Sequence, residues 1–201
     1  VIDLVVERLA EQGWCALPGF LPDELVARLA READTLHQSG RMTAAATGQG
    51  RQREIRAGLR DDAIAWLDEQ PASEAQNEYL ARMELLRLAA NRDLQLGLFD
   101  LEAHFARYPA GARYQKHYDV FQQDSRRALS VICYLNSNWQ ETDGGQLRLY
   151  LDETPADNSR HADILPRGGT LACFLSHRFA HEVLPASRSR LSLTGWFRRR
   201  S

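Results

Sequence analysis

The sequence predicts an α+β protein in which a sandwich or jelly roll of short strands is braced by N-terminal helices. Three observations predict it. Apolar residues recur at helical spacing through the first third of the chain, and after Leu96 about eight short β-prone runs follow one another. Turn material such as Pro109-Ala110-Gly111, Asp143-Gly144-Gly145 and Arg167-Gly168-Gly169 separates several of those runs. At 201 residues the chain has room for one domain, 1–201, with a substantial core; residues 1–96 read as helical support with a polar loop and 97–201 as the β core.

Taken in order, Ile2, Val5, Val6, Leu9 and Ala10 mark a first helix, and Leu25, Val26, Leu29, Ala30 and Ala33 a second over Asp23 to Leu36, with Pro22 suited to its first turn. Between them, Trp14 to Phe20 is a short apolar segment that reads as a strand entering the core. From Ser39 to Arg53 the chain is polar and Gly-rich, the composition of a mobile loop that either covers a site or is a simple excursion. Helical spacing returns over Glu74 to Asn91 through Tyr79, Met83, Leu86 and Ala90. The strand-like runs are Phe99 to Tyr108, Ala112 to Tyr118, Ala128 to Leu135, Gln146 to Leu151, Ala162 to Leu165, Thr170 to Leu175, His181 to Leu184 and Arg190 to Phe197.

Composition narrows the function classes. A hydrophobic fraction of 44% and a charged fraction of 26% are ordinary for a soluble globular protein, and a net charge of -2 predicts no general attraction to polyanions, so no nucleic-acid partner is expected. Cys15, Cys133 and Cys173 form no Cys-x-x-Cys pair or disulfide framework, and Cys133 and Cys173 sit in apolar runs as small buried hydrophobes, as in a reducing compartment. Asp3, Glu7, Arg8 and Glu11 interrupt the N-terminal apolar residues, which argues against a signal-peptide core or a membrane span; a cytoplasmic protein is expected. Of the 25 basic residues only Lys116 is lysine, a bias that suits a GC-rich, bacterial genome. The closing Arg198-Arg199-Arg200 run reads as a solvated chain end.

The chemistry concentrates in the second half. Among the 6 histidines, His117 has a carboxylate two residues on inside a strand-like segment, Tyr114-Gln115-Lys116-His117-Tyr118-Asp119. Side chains at i and i+2 of a strand share a face, so His117 and Asp119 can converge on one metal ion. The triplet alone is weak, and often means an exposed polar strand. Downstream, His181 begins another strand-like run and Arg190 heads the last one. Two histidines and one carboxylate on a β scaffold make a facial triad suited to Fe(II) with open coordination positions. His177, four residues before His181, competes for the third place. Arg190, Ser192, Thr194 and Trp196 alternate with Leu191, Leu193 and Phe197, so one face of the final strand is polar and the other aliphatic. A guanidinium there matches the planar, bidentate demand of a dicarboxylate such as 2-oxoglutarate. His37, His104 and His161 read as solvent-facing or core-satisfied histidines.

These motifs, in order, resemble the prolyl 4-hydroxylase family of Fe(II)/2-oxoglutarate dioxygenases, in the branch that includes the oxygen-sensing (HIF-type) prolyl hydroxylases of animal cells. The resemblance spans Arg60 to Phe197 and is carried by Tyr108-Pro109 before His117-x-Asp119, Tyr134-Leu135-Asn136 then Trp139, Gly144-Gly145-x-Leu147-Arg148, Phe174-x-Ser176, His181-Glu182-Val183-x-Pro185, and Arg190 leading to Thr194-x-Trp196. It implies a double-stranded β-helix, a jelly roll with the iron at its mouth, and it favours His181 over His177 as third ligand. It further implies that Arg190 and Tyr134 hold the distal carboxylate of 2-oxoglutarate and that Tyr108, Thr194, Leu147 and Trp196 line the pocket. Arg60, Asp62 and Arg127 fall where the family meets its substrate. Asp61 stands where the animal proteins have glycine, and the residues upstream differ, which leaves the target open.

The implied function is hydroxylation of a proline of a cytosolic protein by a monomeric enzyme using Fe(II), 2-oxoglutarate and O2, with ascorbate as a stimulant. Bacterial members of this branch act on elongation factor Tu, which the arginine bias suits. The alternatives are a 2-oxoglutarate oxygenase of a small molecule or a non-prolyl residue, and a non-catalytic cupin-like binding module.

Overall fold

The computed structural model describes residues 1–45, 60–67, 72–120, 126–151 and 160–200. Residues 46–53 of the expected loop lie outside these.

The first helix, α1 (Ile2–Gln12), buries Val5, Val6 and Leu9 and ends on Gly13, whose φ of 82° supplies the left-handed cap from which its N–H reaches the Leu9 carbonyl. Strand β1 (Trp14–Leu17) follows, then α2 (Asp23–Gln38), with Pro22 at the N-cap rather than inside the first turn. The segment after α2 is not all loop: Thr43–Ala44 forms β2, paired with β3 (Ala63–Trp66). Helix α3 (Glu74–Leu94) is capped by Ser73, whose hydroxyl oxygen accepts from the Gln76 N–H at 3.1 Å. That hydroxyl also donates to Glu32 at 2.7 Å, fastening α3 to α2.

The remaining strands are β4 (Leu98–Tyr108), β5 (Tyr114–His117), β6 (Arg127–Tyr134), β7 (Leu147–Tyr150), β8 (His161–Ile164), β9 (Leu171–Leu175), β10 (His181–Val183) and β11 (Arg190–Arg199). They lie within a residue or two of the expected runs. They form a 7-stranded sheet in the order β1-β9-β6-β11-β4-β3-β2 and a 4-stranded sheet in the order β5-β10-β7-β8. The antiparallel pairing and two facing sheets are those of a jelly roll. The division at residue 96 is less clean than expected, because β1, β2 and β3 from the first part form both edges of the larger sheet.

Period-2 alternation assigns the faces of that sheet. Leu129, Val131 and Cys133 of β6, Leu171 and Cys173 of β9, and Leu191, Leu193 and Phe197 of β11 pack with the three helices. Ile132 and Tyr134, Ala172 and Phe174, and Ala106 and Tyr108 face the smaller sheet instead. Seven of the eight β6 residues are buried, which is why its sequence is apolar but for Arg127 and Ser130. Each large aliphatic or aromatic side chain sealed this way contributes about 1.5–3 kcal/mol, so the helices hold rigid the strands that carry the site. Cys15, Cys133 and Cys173 are free and buried, as expected.

Of the C-terminal arginines expected at a solvated end, Arg199 and Arg200 are exposed and Arg198 is half-buried. β11 continues through Arg199; Arg198 is paired with Asp100 at 2.6 Å and Glu102 at 3.2 Å, and the Arg200 guanidinium lies 4.1 Å from the Phe99 ring centroid. Among the described residues, no helix is long and apolar enough to cross a membrane.

Candidate metal and co-substrate site

A narrow cavity of about 40 Å³ opens between the sheets. On its wall His117, Asp119 and His181 bring one ligand atom each to within 4.8 Å of one another. His117 is the last residue of β5, and His181, the first of β10, pairs with it across the smaller sheet. Asp119 is not on the strand. The chain bends after β5, and this bend, rather than simple alternation, turns the carboxylate toward the imidazoles.

Each histidine is oriented by a carbonyl two residues upstream. His117 Nδ1 donates to Gln115 O at 2.7 Å and His181 Nδ1 to Phe179 O at 3.2 Å. A carbonyl can only accept, so each Nδ1 carries a proton, which leaves the lone pair of a neutral ring on Nε2. Both Nε2 atoms face the same carboxylate, at 3.7 Å from Asp119 Oδ1 for His117 and 3.5 Å from Oδ2 for His181. Stacking of Tyr114 on His117, centroids 3.6 Å apart, and the Phe174 ring at 4.7 Å from His181 fix the ring planes.

The protonation states suit a cation. Burial works against the charge of Asp119, but His181, His117, the Ser130 hydroxyl and Arg127 outweigh it and hold the carboxyl at about 2. Burial, then the neighbouring His181, lowers His117 to about 3. Ser130 Oγ donates to Asp119 Oδ2 at 2.6 Å and lies 2.9 Å from Ser176 Oγ. Two lone-pair imidazoles and one anchored carboxylate are a donor set that fits a divalent first-row metal. His177, the competing third ligand, is exposed in the turn after β9 and outside this group.

Arg190 closes one end of the cavity. It is 2% exposed, its Nε donates to Gly145 O at 2.9 Å, and its guanidinium carbon lies 5.3 Å from the Tyr108 ring and 5.0 Å from the Tyr134 ring. Gly144 and Gly145 have φ of 72° and 71°, and a Cβ on Gly144 would come within 2.7 Å of Pro185 O, so the turn presenting that carbonyl requires both glycines. Asn136 secures the start of β11, accepting from Leu191 N at 2.6 Å and donating to Pro166 O at 2.7 Å. Among the described residues no carboxylate pairs with Arg190, and the Tyr134 hydroxyl has no hydrogen-bond partner. A buried cation left without an anion is costly unless a ligand supplies one.

Leu147, Thr194 and Trp196 line the same cavity, as do Arg60 and Asp62. The last two are a bidentate pair at 2.7 and 3.0 Å, with Asp62 buried and Arg60 partly so. Arg127 stands behind the lining: its guanidinium covers the Trp196 ring at 3.6 Å, and its Nε donates to Glu102 at 2.7 Å. Tyr134 likewise backs Arg190 without lining the cavity.

Sequence reasoning missed three residues here. Ser130 and Tyr114 were not singled out. His104 was expected to be solvent-facing or satisfied in the core, yet it is buried in the cavity wall and neither ring nitrogen has a hydrogen-bond partner among the described residues. Alternation was the available signal, since His104, Ala106 and Tyr108 share one face of β4, as Ser130, Ile132 and Tyr134 share one face of β6.

Residues 103–198 match the sequence model of the 2OG-Fe(II) oxygenase superfamily. The chain is 30% identical to the hypoxia-inducible factor prolyl hydroxylase of Caenorhabditis elegans over 98% of its own length, and spans 28% of the length of that relative. It superposes on the crystal structure of a Pseudomonas putida prolyl-4-hydroxylase with a TM-score of 0.89 and 46% identity, covering 100% of both chains. A prolyl hydroxylase from Trichoplax adhaerens, solved with a hypoxia inducible factor peptide fragment, superposes with a TM-score of 0.84 at 30% identity, over 98% of this chain and 88% of that one.

Proposed function

Because the chain belongs to the prolyl hydroxylases of the 2OG-Fe(II) oxygenase superfamily, we propose that it hydroxylates C4 of a proline in a cytosolic protein, with elongation factor Tu as the target and residues 1–201 as one catalytic domain. One observation carries the reading: a buried guanidinium without a protein anion shares a cavity with the His117, Asp119 and His181 group. A mere metal site has no use for such a cation; a diacid co-substrate does.

In this reading His117, Asp119 and His181 hold Fe(II), which when bound supplies the centre where 2-oxoglutarate and O2 react to give succinate, CO2 and an oxygen atom for the C–H bond. Arg190 takes the distal carboxylate through its free nitrogens, while Gly145 O keeps Nε occupied and the head aimed. Tyr134 donates its unpartnered hydroxyl to the same carboxylate, and Tyr108, Leu147 and Thr194 confine the carbon chain. Trp196, flattened under Arg127, walls the side where the peptide enters, and the Arg60 and Asp62 pair lines the cavity next to Tyr114 and Tyr108. The work of these side chains is positional: they bind, orient and exclude water. The arginine-rich composition and the likeness to a Pseudomonas putida enzyme support a bacterial protein and hence elongation factor Tu. A monomer using ascorbate as reductant completes the proposal.

The test is incubation of the protein with Fe(II), 2-oxoglutarate and either purified elongation factor Tu or a bacterial proteome, followed by peptide mass spectrometry. The expected result is a gain of one oxygen on an elongation factor Tu proline. Oxidation of another protein's proline would replace the target, and 2-oxoglutarate turnover without any protein oxidised would favour a small-molecule substrate.

A further inference from the structure

His104 sits in the middle of β4 at 1% exposure, between the ring of Trp66 at 4.7 Å and that of Trp196 at 5.5 Å. It faces Thr194 across β11 and Trp66 across β3. Burial, with Arg60 and Arg127 nearby, lowers its pKa well below the ordinary histidine value and keeps the ring neutral. A neutral imidazole has one N–H and one lone pair whichever tautomer it adopts, and here both lack a partner among the described residues. An aliphatic side chain would fill the same gap without stranding two polar atoms, so packing alone does not account for a histidine.

The co-substrate does not account for it either. His104 lies four residues along β4 from Tyr108, which pairs with Arg190. Four strand residues span about 13 Å, whereas the carbon chain of a five-carbon diacid extends only about 5–6 Å. The groups around His104 are those suited to proline. Two indole rings offer apolar walls to a pyrrolidine, and Trp196 Nε1, also without a partner, is a second donor. The amide nitrogen of proline carries no hydrogen, so a peptide at that residue offers acceptors and wants donors.

Resting on the prolyl hydroxylase reading, we propose that His104 is a substrate-recognition residue whose imidazole N–H donates to a backbone carbonyl oxygen flanking the target proline. Wild type, His104→Leu and His104→Gln are each loaded with Mn(II) and 2-oxoglutarate, so that nothing turns over. Each is then offered bead-bound undecapeptides with a fixed central proline, and the same library with alanine there. Wild type is expected to prefer the proline library. His104→Leu should retain about tenfold less of it. His104→Gln, which keeps an N–H donor at similar reach, should recover most of the loss, with 2-oxoglutarate affinity equal in all three.

Equal retention by wild type and His104→Leu overturns the inference and leaves the prolyl reading intact. No preference of wild type for proline overturns both. Glutamine binding no better than leucine reduces His104 to packing and overturns the inference alone. Should His104→Leu not fold, the imidazole ¹⁵N–H resonance of wild type decides: a downfield shift on adding the proline peptides supports the hydrogen bond, and an unmoved resonance overturns it.

Discussion

The cavity's two ends are built from the same pair of strands and finished differently. At one end Arg190 of β11 and Tyr108 of β4 face each other, with Tyr134 and the Gly145 carbonyl behind them and Asn136 pinning the chain. At the other end Thr194 and His104 face each other between Trp196 and Trp66, and His104 and Trp196 retain buried polar atoms without partners. In the proposed function the closed end clamps one small, charged molecule of fixed shape, so its geometry can be completed in advance. The open end, in the same proposal, is completed by a peptide. In the proposed reading the co-substrate supplies the anion that Arg190 and Tyr134 lack, and the peptide supplies the acceptors that His104 and Trp196 lack.

The largest expected effect removes the centre on which both ends depend. Asp119→Ala takes away the one charged donor of the triad, and 2-oxoglutarate consumption should fall to background with or without peptide. Turnover near wild type would remove the assignment of Asp119. Next comes the closed end. Arg190→Lys keeps a positive charge but loses the planar fork, and the Michaelis constant for 2-oxoglutarate should rise about a hundredfold while that for peptide stays within about twofold. If both constants rise together, the two ends are not separate.

The Arg60 and Asp62 pair, next to Tyr114 and Tyr108 on the cavity wall, should answer in the opposite sense. Removing Arg60 alone would strand the Asp62 carboxylate in the protein, so the informative variant is the neutral pair Arg60→Gln with Asp62→Asn, which preserves hydrogen bonding and volume. Its Michaelis constant for peptide should rise about fivefold, with that for 2-oxoglutarate unchanged. Steady-state kinetics in each substrate at saturation of the other makes both comparisons.

The same contrast governs what could be read from the sequence. The closed end was legible because its residues follow strict alternation on β11 and because the two glycines mark the turn. His181 was separated from His177 by family pattern, and the structure supplies the physical reason, since His181 lies in a strand and His177 on an exposed turn. The open end was harder. β3 has no strong strand pattern in Ala63-Ile64-Ala65-Trp66 and exists because β4 pairs with it, from Ala63 against Arg107 to Trp66 against His104. Once that pairing is unseen, Trp66 cannot be placed beside His104, and the histidine looks like any other. Arg60 and Asp62 were placed by resemblance alone, because their burial comes from strands distant in sequence.

The smallest effects test whether the triad is independent of both ends. Proton accounting gives the direction of the serine chain: an ionised Asp119 only accepts, so the Ser130 proton goes to Asp119 and the Ser176 proton goes to Ser130. Ser130→Ala should weaken Fe(II) binding about tenfold, in the range usual for groups that orient a metal ligand. At saturating iron both Michaelis constants should be unchanged, which separates a loosened ligand from a damaged pocket. Ser176→Ala should cost only about threefold, because Ser176 reaches Asp119 through Ser130. The double variant should then be no worse than Ser130→Ala, since the outer serine has nothing left to act through. Iron titrations of the four proteins read this directly. Additive losses would mean that Ser176 supports the carboxylate by another route and that the chain does not run in that order.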